Sequence, residues 1–158
     1  MAAVLVPTPI GVGPAYRPPP AVHAACAPAP LAAGRRVHIE LFANRRAAVV
    51  PAGVGVRRAR RRLGRIVSAR CRARLWTLDP TGVVHFEPPA TLGDFFAVWG
   101  QPLGRARLLG FGGAVRVYVN GRRVRGDPGA LVLRDRDQIV LESGGFVPPH
   151  VRYRFPLH

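Results

Sequence analysis

The sequence predicts an α+β fold that is mostly β: a hairpin-rich sheet with one short aromatic helix packed on it, β-grasp-like in arrangement. Three observations predict it. Val115, Val117 and Val119 alternate with Arg116, Tyr118 and Asn120, the period of a half-buried strand. Asn120-Gly121 follows at once, and both residues tolerate the positive φ that a type I′ hairpin turn requires. A fainter copy of that pattern precedes it: Ile39, Leu41, Phe42, Asn44 and Arg46 fall on Val115, Val117, Tyr118, Asn120 and Arg122 at one constant offset. Residues 91–99 are the one stretch with apolar spacing of helical period, and one helix crossing a mixed sheet is the economical way to cover it.

Taken in order, residues 1–34 are rich in Pro and Ala, with eight prolines before Leu31. Such chain favours polyproline-like or disordered conformations, so 1–34 is read as an arm and 35–158 as a single β-rich domain. Residues 37–43 read as a strand, Asn44-Arg45-Arg46 as its turn, and 47–50 as the return strand, ended by Pro51. Arg45 stands where the second hairpin has its turn glycine, which makes the first turn costlier. Residues 57–74 carry nine arginines. The first part, RRARRRLGR, has little apolar content and reads as an exposed loop. Beyond it, Ile66, Ser68, Arg70, Arg72 and Arg74 share one parity, and Val67, Ala69, Cys71, Ala73 and Leu75 the other. That predicts one strand with an apolar inner face to which Cys71 belongs. Asp79-Pro80-Thr81-Gly82 is a turn, 83–87 a strand, and Pro88-Pro89 its end.

Thr91 is positioned to cap the helix, with Asp94 as its capping-box partner. Leu92, Phe95, Phe96 and Trp99 share one face, and Gly100 and Pro102 stop the helix. A helix this short cannot hold alone, so its aromatic face must dock on the sheet. Asp127-Pro128-Gly129 turns the chain back after the second hairpin, and 138–142 reads as a further strand. The tail FVPPHVRYRFP has extended character, with His150 expected in solvent, like His23 in the arm.

Composition sets limits on function. A chain of 158 residues, 48% apolar, can bury a core and is not globally disordered. No apolar run reaches the roughly 18–20 residues of a membrane-spanning helix. The net charge is +16, and every one of the 24 basic residues is Arg. A GC-rich genome produces such a bias; whatever its origin, the charge attracts anionic polymers or surfaces at low salt. Arg57, Arg58, Arg60, Arg61, Arg62 and Arg65 are the candidate contacts. No aromatic residue interrupts them and no RNP, zinc-finger or helix-turn-helix pattern occurs, so base readout is not indicated. Two cysteines, Cys26 and Cys71, form one disulfide if the chain is exported, or two thiols in a reducing cytosol. A bridge would pin the arm to the sheet. The start of the chain lacks a basic n-region, and Pro7, Pro9 and Pro14 break its apolar run, so no signal peptide is expected in the chain as it stands.

Catalysis is not expected. Ser68 and Ser143 are the only serines, neither lies in a nucleophile elbow, and no lysine is present to act as a base. Gly110-Phe111-Gly112-Gly113 precedes a strand, so no helix N-terminus follows it to take an anion. One polar constellation stands out: His38-Ile39-Glu40 and His85-Phe86-Glu87. Residues i and i+2 share a strand face, so each tripeptide presents an imidazole beside a carboxylate. On neighbouring strands, His38, Glu40, His85 and Glu87 could converge on copper or zinc. Antiparallel pairing offers another outcome: His38 beside Glu87 and Glu40 beside His85, as ion pairs without metal.

The segments VHIELFANRRAAVVPAGVGV, LDPTGVVHFE, TLGDFFAVWGQPL and VRVYVNGRRVRGDP, in this order, resemble a family of small, mostly exported bacterial domains. Its members read HxHLxIFVNG…IPAGIGI, HTHDxxGVIHIE and TLGxFFxxWGQPL. The resemblance covers residues 37–156 and implies an exported domain whose histidine richness suggests metal binding. His38, Asp79, Gly82, His85 and Glu87 match the family pattern, and Cys71 sits where the family tends to carry a cysteine. Arg36, Trp76 and Leu78 replace three of its histidines, so a metal site would be degenerate here. The function this implies is a non-enzymatic binding domain of the envelope or extracellular space, its ligand and any protein partner unidentified. A signal sequence upstream of Met1 would favour that reading. The alternative is an Arg-rich cytosolic protein that binds nucleic acid non-specifically.

Overall fold

The structure is a computed structural model that describes residues 25–157. Its main sheet has seven strands. From one edge they run Arg122–Val124, Val115–Val119, Gln138–Ser143 and Arg35–Ala43. The far side of Arg35–Ala43 is shared: its first half pairs with Val83–Phe86, which in turn pairs with Leu75–Trp76, and its last residues pair with Arg46–Ala48. The first and last strands lie parallel in the centre, with Ile39 opposite Ile139 and Leu41 opposite Leu141. Each has a hairpin strand outside it, and the helix belongs to the chain between the two hairpins. The arrangement is β-grasp-like and the class is the α+β, mostly β one expected from the sequence; the strand order itself comes from the structure.

Both predicted hairpin turns form. Asn120 and Gly121 have φ of 53° and 83°, and Asn44 and Arg45 have 51° and 65°. Arg45 therefore holds a left-handed conformation that disfavours a side chain bearing Cβ. The return strand of the first hairpin, Arg46–Ala48, stops earlier than expected, and Val50 enters the core. The helix Leu92–Trp99 has both bonds of its capping box: Thr91 N–H donates to Asp94 Oδ2 at 2.9 Å, and Asp94 N–H donates to Thr91 Oγ1 at 3.1 Å. Its buried face, Leu92, Phe95, Phe96 and Trp99, packs on Val37, Ile39, Leu41, Val117, Ile139 and Leu141.

The region after Pro51 departs from expectation. RRARRRLGR is not a loop: Arg60–Arg62 and Arg65–Ser68 form a hairpin around Leu63-Gly64, both at positive φ. The predicted single strand beyond it is three short pieces, Arg65–Ser68, Cys71–Arg72 and Leu75–Trp76, in three different sheets. The buried parity is the one expected to face out, Ile66 and Arg72, until it switches at Ala73. Ile66, expected outside, is buried with Ala52, Trp76 and Leu78, while Val67, expected inside, is 53% exposed. The charged Arg72 is buried at 4% and Cys71 is half-buried.

The arm also differs where it is described. Residues 25–34 lie against the domain: Ala27 bridges Arg72, and Leu31 packs on the second cluster. The remaining arm residues, 1–24, lie outside the described residues, and with them His23. Residues 103–112 form a separate three-stranded sheet of short strands, and the chain then enters the second hairpin.

Candidate functional site

The two H-x-E strands are neighbours and antiparallel, but their register separates the four groups. Arg36 faces His85 and His38 faces Val83. The pairs His38–Glu87 and Glu40–His85 do not form, because the register that aligns Val37 with Val84 in the core carries them past one another. His38 is 6% exposed. Its Nδ1 lies 2.6 Å from Gln138 Oε1 and its Nε2 lies 2.7 Å from the Thr81 carbonyl. Gln138 is oriented by its own Nε2 donation to Glu40 Oε1 at 2.6 Å. Both His38 nitrogens thus lie within hydrogen-bond distance of a protein oxygen, so both are already engaged within the fold. Glu40 also accepts from His150 Nδ1 at 2.9 Å, so His150, although 67% exposed, has a partner and is not simply solvated.

His85 and Glu87 lie apart from this group. His85 Nδ1 bonds the Ala33 carbonyl at 3.2 Å, and its ring stacks on Trp76 with centroids 5.3 Å apart. Burial lowers the His85 pKa, with the Arg36 charge adding to it and the Ala33 carbonyl opposing it. Glu87 pairs with Arg72 at 2.9 Å. Among the described residues, no group of three or more His, Cys, Asp or Glu side chains is placed to hold a metal ion. The expected convergence of His38, Glu40, His85 and Glu87 is therefore corrected: they divide between two polar networks.

Cys26 and Cys71 are joined by a disulfide, with Cα atoms 5.3 Å apart and a sequence separation of 45. Arg72 and Trp76 complete the attachment of residues 25–34. The Arg72 guanidinium lies 3.6 Å over the Trp76 ring and donates from Nε to the Pro30 carbonyl at 2.8 Å. Trp76, fully buried, donates from Nε1 to the Leu31 carbonyl at 2.9 Å. Trp76 stands where the resemblance expects a histidine, and here it serves packing.

The six candidate arginines divide by role. Arg61 turns inward and donates to the Ala52 carbonyl at 3.1 Å, and Arg65 pairs with Asp79 at 2.9 Å. Arg57 lies in the strand that pairs with Cys71–Arg72. Arg58, Arg60 and Arg62 point to solvent.

Two features escaped sequence reasoning. The tail crosses the sheet face opposite the helix, which explains why that face is polar yet buried. Tyr153 stacks on His38 with centroids 3.6 Å apart, and Arg36 lies against Phe155 and donates to the Pro156 carbonyl at 2.9 Å. Glu142, wholly buried, accepts from Arg116 at 3.2 Å and from the Val147 N–H at 3.1 Å. The second feature is a groove of about 510 Å³ beside the second hairpin, lined by Val117, Val124, Leu131 and Val132 together with Arg125, Arg134, Asp127 and Asp137. It depends on residues 125–137 folding back under the hairpin; Asp127-Pro128-Gly129 signals the turn, seen as the 3-10 helix Pro128–Ala130, but not where the returning chain packs. Comparison of the chain with known protein families, curated proteins and solved structures finds no match.

Proposed function

We propose that this chain is a non-enzymatic binding domain of the cell envelope or extracellular space, and that its groove beside the second hairpin receives a small ligand. The observation that carries this reading is the Cys26–Cys71 disulfide. Such bridges persist in oxidising compartments and are rare in a reducing cytosol. The bridge also acts structurally, because it closes the attachment of residues 25–34 that Arg72 and Trp76 begin. A concave, mostly apolar groove lined also by Arg125, Arg134, Asp127 and Asp137 has the makeup of a ligand site. In this reading copper and zinc bind weakly at His38 and His85, because the nitrogens of His38 are committed to Gln138 and Thr81.

The test is the redox state in the native cell. Cells are quenched in acid and the protein is alkylated before and after reduction. The expected result is that Cys26 and Cys71 are alkylated only after reduction. Two free thiols in freshly quenched cells would overturn the reading in favour of the cytosolic, nucleic-acid-associated alternative.

A further inference from the structure

We propose that the hairpin Arg60–Arg62/Arg65–Ser68 is a membrane-surface foot: its arginines rest on anionic lipid headgroups and Leu63 at its tip enters the bilayer interface. This goes beyond the envelope reading and does not rest on it. Three observations carry it.

The first is an excess of positive charge. No Asp or Glu occurs between Glu40 and Asp79, while 57–74 holds nine arginines, of which Arg65 and Arg72 have carboxylate partners in Asp79 and Glu87. Arg62 and Arg65 are direct cross-strand partners, and like charges so placed repel. Asp79 answers Arg65 alone. Arg58, Arg60, Arg62 and Arg70 are exposed, and their side chains have no polar partner among the described residues. An external anion resolves that repulsion.

The second observation selects the anion. Leu63 is 98% exposed at the turn, and Val67 on the following strand is 53% exposed. A bilayer suits an apolar tip between arginines, because its headgroup layer meets the cations and its acyl boundary takes the leucine; on duplex DNA the same tip would have to act as a wedge between base steps, the case that a duplex competitor tests. The hairpin also carries no aromatic side chain on which a base could stack.

The third is preorganisation. Ile66 anchors the hairpin in the cluster of Ala52, Trp76 and Leu78, and Arg61 ties it to the Ala52 carbonyl. The tip is presented by a fixed support.

The experiment is sedimentation of the full chain with vesicles of phosphatidylcholine alone and of phosphatidylcholine with phosphatidylglycerol. A mixed-sequence DNA duplex at matched phosphate concentration is the competitor. We expect binding to the anionic vesicles only. Arg60→Gln and Arg62→Gln should each weaken partitioning about five-fold at low salt and far less at high salt. Leu63→Ser should weaken it about tenfold at either salt concentration. All three sites are exposed, and far-UV circular dichroism is the check that each variant is folded. Unchanged partitioning of Leu63→Ser, or displacement from vesicles by the duplex, would overturn the proposal; the second outcome would assign the hairpin to nucleic acid. Neither result bears on the thiol measurement, so the two proposals fail separately.

Discussion

Arg116 and Glu142 sit opposite each other on adjacent strands beneath the tail, and the carboxylate is fully buried. Removing one partner of a buried pair leaves an uncompensated charge, so Arg116→Ala should destabilise the fold by about 3 kcal/mol in urea titrations. The double change Arg116→Met with Glu142→Leu should restore most of that loss. His85 supplies a pH signature. Its folded pKa lies below the ordinary value of about 6.5, chiefly because burial disfavours the charged ring. As pH falls through about 6.5 the unfolded chain takes up a proton that the native ring resists, so stability declines on the acid side. The slope from this one group is at most about 1.4 kcal/mol per pH unit. His85→Gln should flatten the dependence of stability on pH below about 6.5, and an unchanged profile would place the acid sensitivity elsewhere.

At the scale of elements, the helix is the piece whose boundaries follow most directly from local chemistry. Thr91 and Asp94 satisfy two orphan N–H groups, and Gly100 at φ 77° closes the far end. Thr91→Ala should cost about 1 kcal/mol by urea denaturation. The hairpin turns are legible for the same reason: Asn-Gly states its own φ preference. Cys71, Arg72 and Ile66 are misread when the inward parity of Ala73 and Leu75 is carried back across the strand breaks, because the buried parity switches between Arg72 and Ala73. A period-two pattern is informative only within one unbroken strand.

For the molecule as a whole, stability depends on two segments that wrap the sheet. Residues 25–34 are held by the disulfide, which closes a long loop. Reduction should lower stability by about 4 kcal/mol in the chain-entropy account, read as a fall in Tm with dithiothreitol. Cys26→Ser should show no further loss on reduction. The tail from Phe146 covers the polar face through Tyr153, Phe155 and the Val147 N–H.

Local chemistry along the chain is enough to specify the mostly β class and its main pieces: two hairpins with their turns, a capped aromatic helix, and a closing strand of the right period. Those features are written in contacts a few residues apart, where turn chemistry, capping and periodicity act. The placement of the polar side chains emerges only once the chain is folded. Whether His38 meets Glu87 or Gln138 depends on strand register, which the packing of Val37, Ile39 and Leu41 beneath the helix sets across the whole sheet. The groove and the tail's path depend in the same way on contacts between distant segments. Burial of apolar surface drives such contacts without direction, so no local pattern records them.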